Sequence, residues 1–294
     1  MTEDRGVAVP PGVAALERDS GSVHLSDWRV LAVRGADARR WLHDLVTADV
    51  ASLEDGRARR SLILSPTGRI RADVHVGAVG ASFLLLQDPI QPEPVAEILA
   101  PYVLSSDVEL EDRTGEAEVF AVLDGEAVED GDEAVRLEPS VLGSGRTVLT
   151  PAGAPARALG ERLREAGLEE IGPVDVETWR VRRGTARVGV DIGSDALPAE
   201  AGLEDTIDFT KGCFLGQESV AKVRNLGHPP RLLVAVRSTS RLEPGTPVLA
   251  GGEPVGAITS AVEVAVGSVG IARVRWDAAA RPLAADGAGP LSLR

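Results

Sequence analysis

The stretch Thr210-Lys211-Gly212-Cys213-Phe214-Leu215-Gly216-Gln217-Glu218-Ser219-Val220-Ala221-Lys222 holds the only cysteine of the chain. Glycines at 212 and 216 stand on either side of the thiol, which marks a backbone that turns tightly or lies close against something. From Gln217 to Val223 the residues read as a short helix. A thiol just ahead of a helix N-terminus feels the positive end of the helix dipole, and Lys211 adds a full positive charge nearby. Both favour the thiolate, so Cys213 is a candidate reactive cysteine with Lys211 as its helper. The two glycines would leave room for a partner to approach. A buried cysteine in a tight turn is the structural alternative.

The order Lys-Gly-Cys-Phe-x-Gly-Gln-Glu over residues 211–218 closely resembles the signature of the YgfZ family of folate-binding proteins. That family is related to the T-protein, the aminomethyltransferase of the glycine cleavage system. The resemblance implies an α+β fold of three parts, with ferredoxin-like domains around a central folate cavity and a C-terminal β-barrel. The folate-binding region would span 1–228, with an inserted subdomain at roughly 50–115, and the barrel 229–294. Tetrahydrofolate is the implied cofactor. The implied role is assembly or repair of iron–sulfur clusters, with client proteins or assembly factors as partners. Cys213 would be the working thiol, as nucleophile, redox group or transient cluster ligand.

Composition sets the outer limits. A chain of 294 residues exceeds one typical domain, and 44% apolar residues suffice for real cores. Aromatics are only 3%, so those cores are built from Val, Leu, Ala and Ile. A net charge of −14 repels nucleic acid and anionic lipid, so neither is an expected partner. A folate carries an anionic tail too, so a folate site needs basic residues of its own. One cysteine permits no internal disulfide, which fits a reducing cytoplasm. The N-terminus lacks the basic and apolar regions of a signal peptide, and no apolar run has the length of a membrane helix. A cytoplasmic monomer is expected. The histidines at 24, 43, 75 and 228 form no i,i+4 pair, so no metal site is expected.

Along the chain, Val30 to Val33 reads as a strand. Asp37 then caps a helix that buries Ala38, Trp41, Leu42 and Leu45. Ser61–Leu64, the turn Ser65-Pro66-Thr67-Gly68, and Arg69–Val76 form a hairpin. Alternation puts Ile70, Ala72, Val74 and Val76 on one face of the return strand and Arg69, Arg71, Asp73 and His75 on the other. Asp73 is thereby a candidate to meet a pterin or a reactive nitrogen. Residues 124–138 are acidic and read as surface. A helix at Val174–Arg183 is stopped by Gly184. From Arg231 onward, short apolar strands and Gly-Pro turns read as a small barrel with a Gly-x-x-Thr-Ser turn at 256–260.

The resemblance also assigns residues outside the cysteine motif. Trp28 occupies the position of a folate-contacting tryptophan. Trp179 lies one turn beyond a second such position, which here is Val176. Glu200 would help hold the pterin's amino group, and Arg231 would stand at the cavity edge. Two departures count against aminomethyl transfer. The adjacent aspartates of T-proteins read Ala72-Asp73 here, and their helix-end glutamate is Arg182. The alternative function is nonetheless an aminomethyltransferase in which Asp73 orients or deprotonates the folate nitrogen. A folate store or adaptor is the third reading.

Overall fold

The structure is a computed structural model that describes residues 9–104, 106–124 and 128–294. Helix α1 (Pro11–Glu17) comes first. Strand β1 (Ser22–His24), β2 (Arg29–Arg34), helix α2 (Ala38–Leu45), β3 (Ala58–Leu64), β4 (Ile70–Val79) and β5 (Ser82–Gln87) follow. Then come α3 (Val95–Leu99), β6 (Glu109–Asp112), β7 (Ala117–Val122), β8 (Val135–Leu137) and β9 (Arg146–Pro151). Helices α4 (Ala154–Glu165), α5 (Pro173–Arg183), α6 (Pro198–Ala201) and α7 (Gln217–Leu226) lead into the last part. That part is β10 (Arg231–Ser238), β11 (Pro247–Ala250), β12 (Glu253–Glu263), β13 (Ser268–Arg275), β14 (Leu283–Ala285) and β15 (Gly289–Leu293).

Three sheets result, as the expected three-part α+β architecture requires. One has the order β3-β4-β5-β2-β6, a second β1-β7-β9-β8, and the third is a closed barrel β10-β13-β12-β11-β14-β15. The insertion expected near 50–115 begins earlier in the pairing. Strand β2 bonds to both β5 and β6, so residues from Arg29 to Asp112 belong to one five-stranded sheet. The chain then returns to the four-stranded sheet, where β7 pairs with β1.

Strand β4 shows the expected alternation from Ala72 onward, but Ile70 packs instead with Leu62 and Leu64, beyond the register shift between Ile63 and Leu64. Ala72, Val74 and Val76 bury against Trp41, Leu42 and Leu45 of α2 and Ile98 and Leu99 of α3. On the opposite face, Val30, Ala32, Leu84 and Leu86 pack against Val119, Ala121 and Leu149 of the four-stranded sheet. The five-stranded sheet is thus covered on both sides, and a polar residue on its second face must meet either a partner or a hollow. Asp37 stands at the N-cap of α2 but makes no cap bond. Its carboxylate instead accepts from Asp107 N at 2.8 Å, which ties the loop before β6 to the helix start.

Helix α5 has Pro173 in its first turn and ends at Gly184, whose φ of 71° is the left-handed conformation that stops helices. In the barrel, Thr259-Ser260 is no turn. It lies inside β12 at a register shift between Ile258 and Ser260, and such a bulge re-aims side chains. At the hairpin tip, Gly68 (φ 76°) meets Gly216 (φ 81°), the residue before α7. A Cβ on Gly216 would stand 2.5 Å from the Ser65 carbonyl oxygen, and one on Gly68 would stand 2.8 Å from Ser219 Cβ. Among the described residues, no helix is long and apolar enough to cross a membrane.

Candidate functional site

A cavity of about 480 Å³ opens between the second face of β4, the loop from β1 to β2, and helix α5. That volume is within the usual range for small-molecule sites. Its lining carries four arginines (Arg60, Arg180, Arg183, Arg187) against three carboxylates (Asp73, Asp88, Glu177). The local balance therefore runs opposite to that of the whole chain.

Asp73, His75 and Arg60 form one side of it. The β3–β4 register sets Arg60 opposite His75 and Leu62 opposite Asp73, so all three polar side chains share the cavity face. Arg60 grips Asp73 with both ends of its fork, Nε to Oδ1 at 3.0 Å and Nη2 to Oδ2 at 2.6 Å. Gln91 fixes the backbone beneath: it accepts from Asp73 N at 2.9 Å and donates to Asp73 O at 2.8 Å. Burial pushes His75 down to about 4, with Arg60 adding to the effect and Asp73 opposing it. At neutral pH the cavity thus holds an uncharged imidazole beside an ion pair.

The facing wall is α5. Val176, Trp179, Arg180 and Arg183 recur at helical spacing and line the cavity together with Glu177. Trp28 completes the wall from the loop before β2. Trp179 Nε1 is buried and has no acceptor among the described residues. A buried indole N–H usually finds a partner, so an orphan donor beside a hollow fits a ligand with an acceptor edge.

Ion pairs, joined by two hydroxyls of the barrel, brace this wall. Arg187 reaches Asp88 at 2.7 Å and Glu177 at 3.3 Å. Arg180 pairs with Glu177 and, at 2.7 Å, with Asp191. Asp191 has no exposed side-chain surface. It accepts from Thr259 Oγ1 at 2.6 Å, Ser260 Oγ at 2.7 Å and Arg187 N at 2.9 Å. The bulge in β12 is what turns both hydroxyls toward it. Sequence reasoning missed Arg60, Gln91, Asp88, Glu177, Arg187 and Asp191. Only the α5 residues carried a legible signal, the stripe at 176, 179, 180 and 183.

Trp28, Asp73 and Trp179 are brought together in this cavity, whereas Glu200 and Arg231 are not. The Glu200 carboxylate is buried against Arg273 at 2.8 Å and accepts from Leu197 N at 3.2 Å, so Arg273 already holds it. Arg231 is exposed and stands 3.7 Å from Asp195. Ala72 is fully buried on the opposite face of β4, and Arg182 turns to Glu17 at 3.3 Å outside the lining.

The cysteine motif also lies outside the cavity lining. Cys213 is exposed. Lys211 Nζ donates to the carbonyls of His43, Val46 (2.6 Å) and Ala48 (3.0 Å), closing the end of α2. Burial pushes its ammonium down to about 8, against the pull of Asp49, Asp44 and Asp208. Open space surrounds Gly212, while the hairpin tip fills the space at Gly216. A second hollow of about 970 Å³, lined by Asp49, Phe209 and Arg224 among others, shares Ala58, Arg60 and Pro139 with the cavity. It lacks the paired indoles, so the smaller cavity is the better ligand site.

Residues 8–129 match the GCVT N-terminal domain, and residues 231–294 match the CAF17 C-terminal beta-barrel domain. The chain is 25% identical over 266 residues to a putative chloroplastic transferase of Arabidopsis thaliana, covering 81% of this chain but only 61% of that relative. It is 27% identical over 273 residues to an aminomethyltransferase of Rubrobacter xylanophilus, covering 84% of this chain and 73% of the relative. It is 29% identical over 226 residues to the mitochondrial iron-sulfur cluster assembly factor IBA57 homolog of Pyricularia oryzae, covering 71% of this chain and 55% of the relative. Among solved structures, the glycine cleavage system aminomethyltransferase T of Bartonella henselae superposes with a TM-score of 0.79 at 20% identity, covering 97% of this chain and 88% of that one. The chain therefore has the aminomethyltransferase fold, with a barrel of the CAF17 type.

Proposed function

We propose that this chain, with its GCVT N-terminal domain and CAF17-type barrel, binds tetrahydrofolate in the cavity and assists assembly or repair of iron–sulfur clusters in client proteins. The observation that carries the reading is the cavity itself: Trp28 and Trp179 line it opposite an Asp73 locked by Arg60 and Gln91. Indole faces suit a flat ring, with about 0.5–1.5 kcal/mol per aromatic pair beyond area burial. Asp73 and the free Trp179 N–H supply an acceptor and a donor for its polar edge. A bound folate would supply one-carbon chemistry, and the residues that would hold it are Trp28, Asp73 and Trp179. Cys213 would serve the client as an exposed thiol on a separate surface. The relative named as an iron-sulfur cluster assembly factor and the barrel match support the choice of process.

Aminomethyl transfer is the second reading, and the aminomethyltransferase relatives favour it. Against it stand the lost carboxylate at Ala72, whose side chain points into the core, and Arg182, which faces Glu17 instead of the cavity. Titration of the full chain with tetrahydrofolate should quench tryptophan fluorescence, and Trp28→Phe should weaken the binding. No quench together with no calorimetric heat refutes folate binding. Turnover of an aminomethyl-lipoyl carrier above about 1 s⁻¹ would replace the first reading by the second.

A further inference from the structure

We propose that Arg183 receives the carboxylate end of the cavity's ligand, so that the site selects rings bearing an anionic tail over bare rings. This rests on the folate reading above and adds to it the residue that reads the tail.

Three of the four cavity arginines already hold carboxylates. Arg60 is bidentate to Asp73, Arg180 binds Asp191 and Glu177, and Arg187 binds Asp88 and Glu177. These three cations face four carboxylates and leave no charge for an incoming anion. Arg183 differs. It is the last residue of α5, it lines the cavity, it is exposed, and no carboxylate pairs with it among the described residues. Its guanidinium carbon lies 5.0 Å from the centroid of the Trp179 ring. Contact with the indole restrains the guanidinium without using its N–H groups, which then remain for a planar, bidentate acceptor. The position also fits a tailed ligand. The ring would occupy the enclosed part beside Asp73 and Trp179, and the tail would leave across the exposed end of α5. On a surface with a net charge of −14, an unpaired cation at the opening is what an anionic ligand needs to approach.

Calorimetry on the full chain, in anaerobic buffer, tests this with tetrahydrofolate and with tetrahydropterin, which shares the ring but lacks the tail. Wild type should bind tetrahydrofolate more tightly than tetrahydropterin. Arg183→Gln should weaken tetrahydrofolate by about tenfold, the scale of one charge-assisted contact, and change tetrahydropterin less than twofold. Arg183→Lys should recover part of the loss, and added salt should narrow the difference between wild type and Arg183→Gln. If wild type binds both compounds and Arg183→Gln weakens both equally or neither, the role of Arg183 is refuted while the folate reading stands. If wild type binds neither compound, the folate reading fails and this inference fails with it.

Discussion

The cavity and the cysteine loop are the two places where this chain gathers chemistry, and they are built in opposite ways. The cavity is braced from every side: Arg60 with Asp73, Arg187 with Asp88, and Arg180 with an Asp191 that also holds two barrel hydroxyls. The loop rests on α2 through Lys211 and on the hairpin through Gly216, yet its thiol is exposed. A ligand that must be oriented belongs in the first setting, where positions are fixed before it arrives. A group that must meet another macromolecule belongs in the second. Placing the two apart lets each be altered with little effect on the other.

The largest effect should come from breaking the brace. Asp191→Ala leaves Arg180 buried with less compensating charge, removes the acceptor of Ser260 Oγ and leaves Thr259 Oγ1 only the Ile271 carbonyl. A loss of about 3–5 kcal/mol is expected, the usual cost of removing one partner from a buried pair. Urea unfolding measures it. A loss below about 1 kcal/mol would mean that the cavity wall does not depend on the barrel.

Next comes pH. His75 titrates near 6.5 when unfolded and near 4 when folded, because burial beside Arg60 disfavours its charged form despite Asp73. Between those values the unfolded chain binds more protons, so stability is full above about pH 6.5 and falls as pH drops toward 4. The expected contribution is roughly 3 kcal/mol. Wild type minus His75→Asn, compared by urea midpoints across pH 7.5 to 4.5, isolates it. A difference that does not vary with pH would show that His75 is open to water and the cavity less enclosed.

The smallest effect on stability should come from the loop. Cys213→Ser should change unfolding free energy by less than about 0.5 kcal/mol and leave the proposed folate binding intact, because the side chain is exposed. Iodoacetamide should alkylate Cys213 in the folded protein. An unreactive Cys213, or a strain lacking this protein that is rescued fully by Cys213→Ser, would reduce the loop to packing and remove the functional half of the comparison.

Much of this arrangement was legible in the sequence, for physical reasons that also mark the limit. Alternation along β4 puts Asp73 and His75 on one face, and strand geometry forces that result. Helical spacing and Gly184 give α5 its extent. The indoles at 28 and 179 share one cavity, which local periodicity cannot show. Asp73's partner Arg60 sits across a hairpin whose register shifts at Ile63–Leu64, so pattern alone could not pair them. Glu200 and Arg231 are ligand contacts only by the resemblance of their positions to a family pattern. Their availability depends on Arg273 and Asp195, which only the folded barrel brings near. That β2 pairs with β5 and β6 could not be read from local pattern, because α2 and two further strands separate it from them in sequence.

The meeting of Gly68 and Gly216 has a consequence for how this sequence can vary. A Cβ on Gly68 would collide with Ser219 of α7, one on Gly216 would collide with Ser65 and press on Gly68 of the hairpin tip, and each glycine has a conformation that a side chain resists. Neither position can therefore accept a Cβ without displacing the hairpin tip from the start of α7. Substitutions at the two should fail to add, since the first already separates the surfaces that the second would part. The turn that ends β3 and the motif that carries the thiol are in this respect one heritable unit, written in two distant parts of the chain.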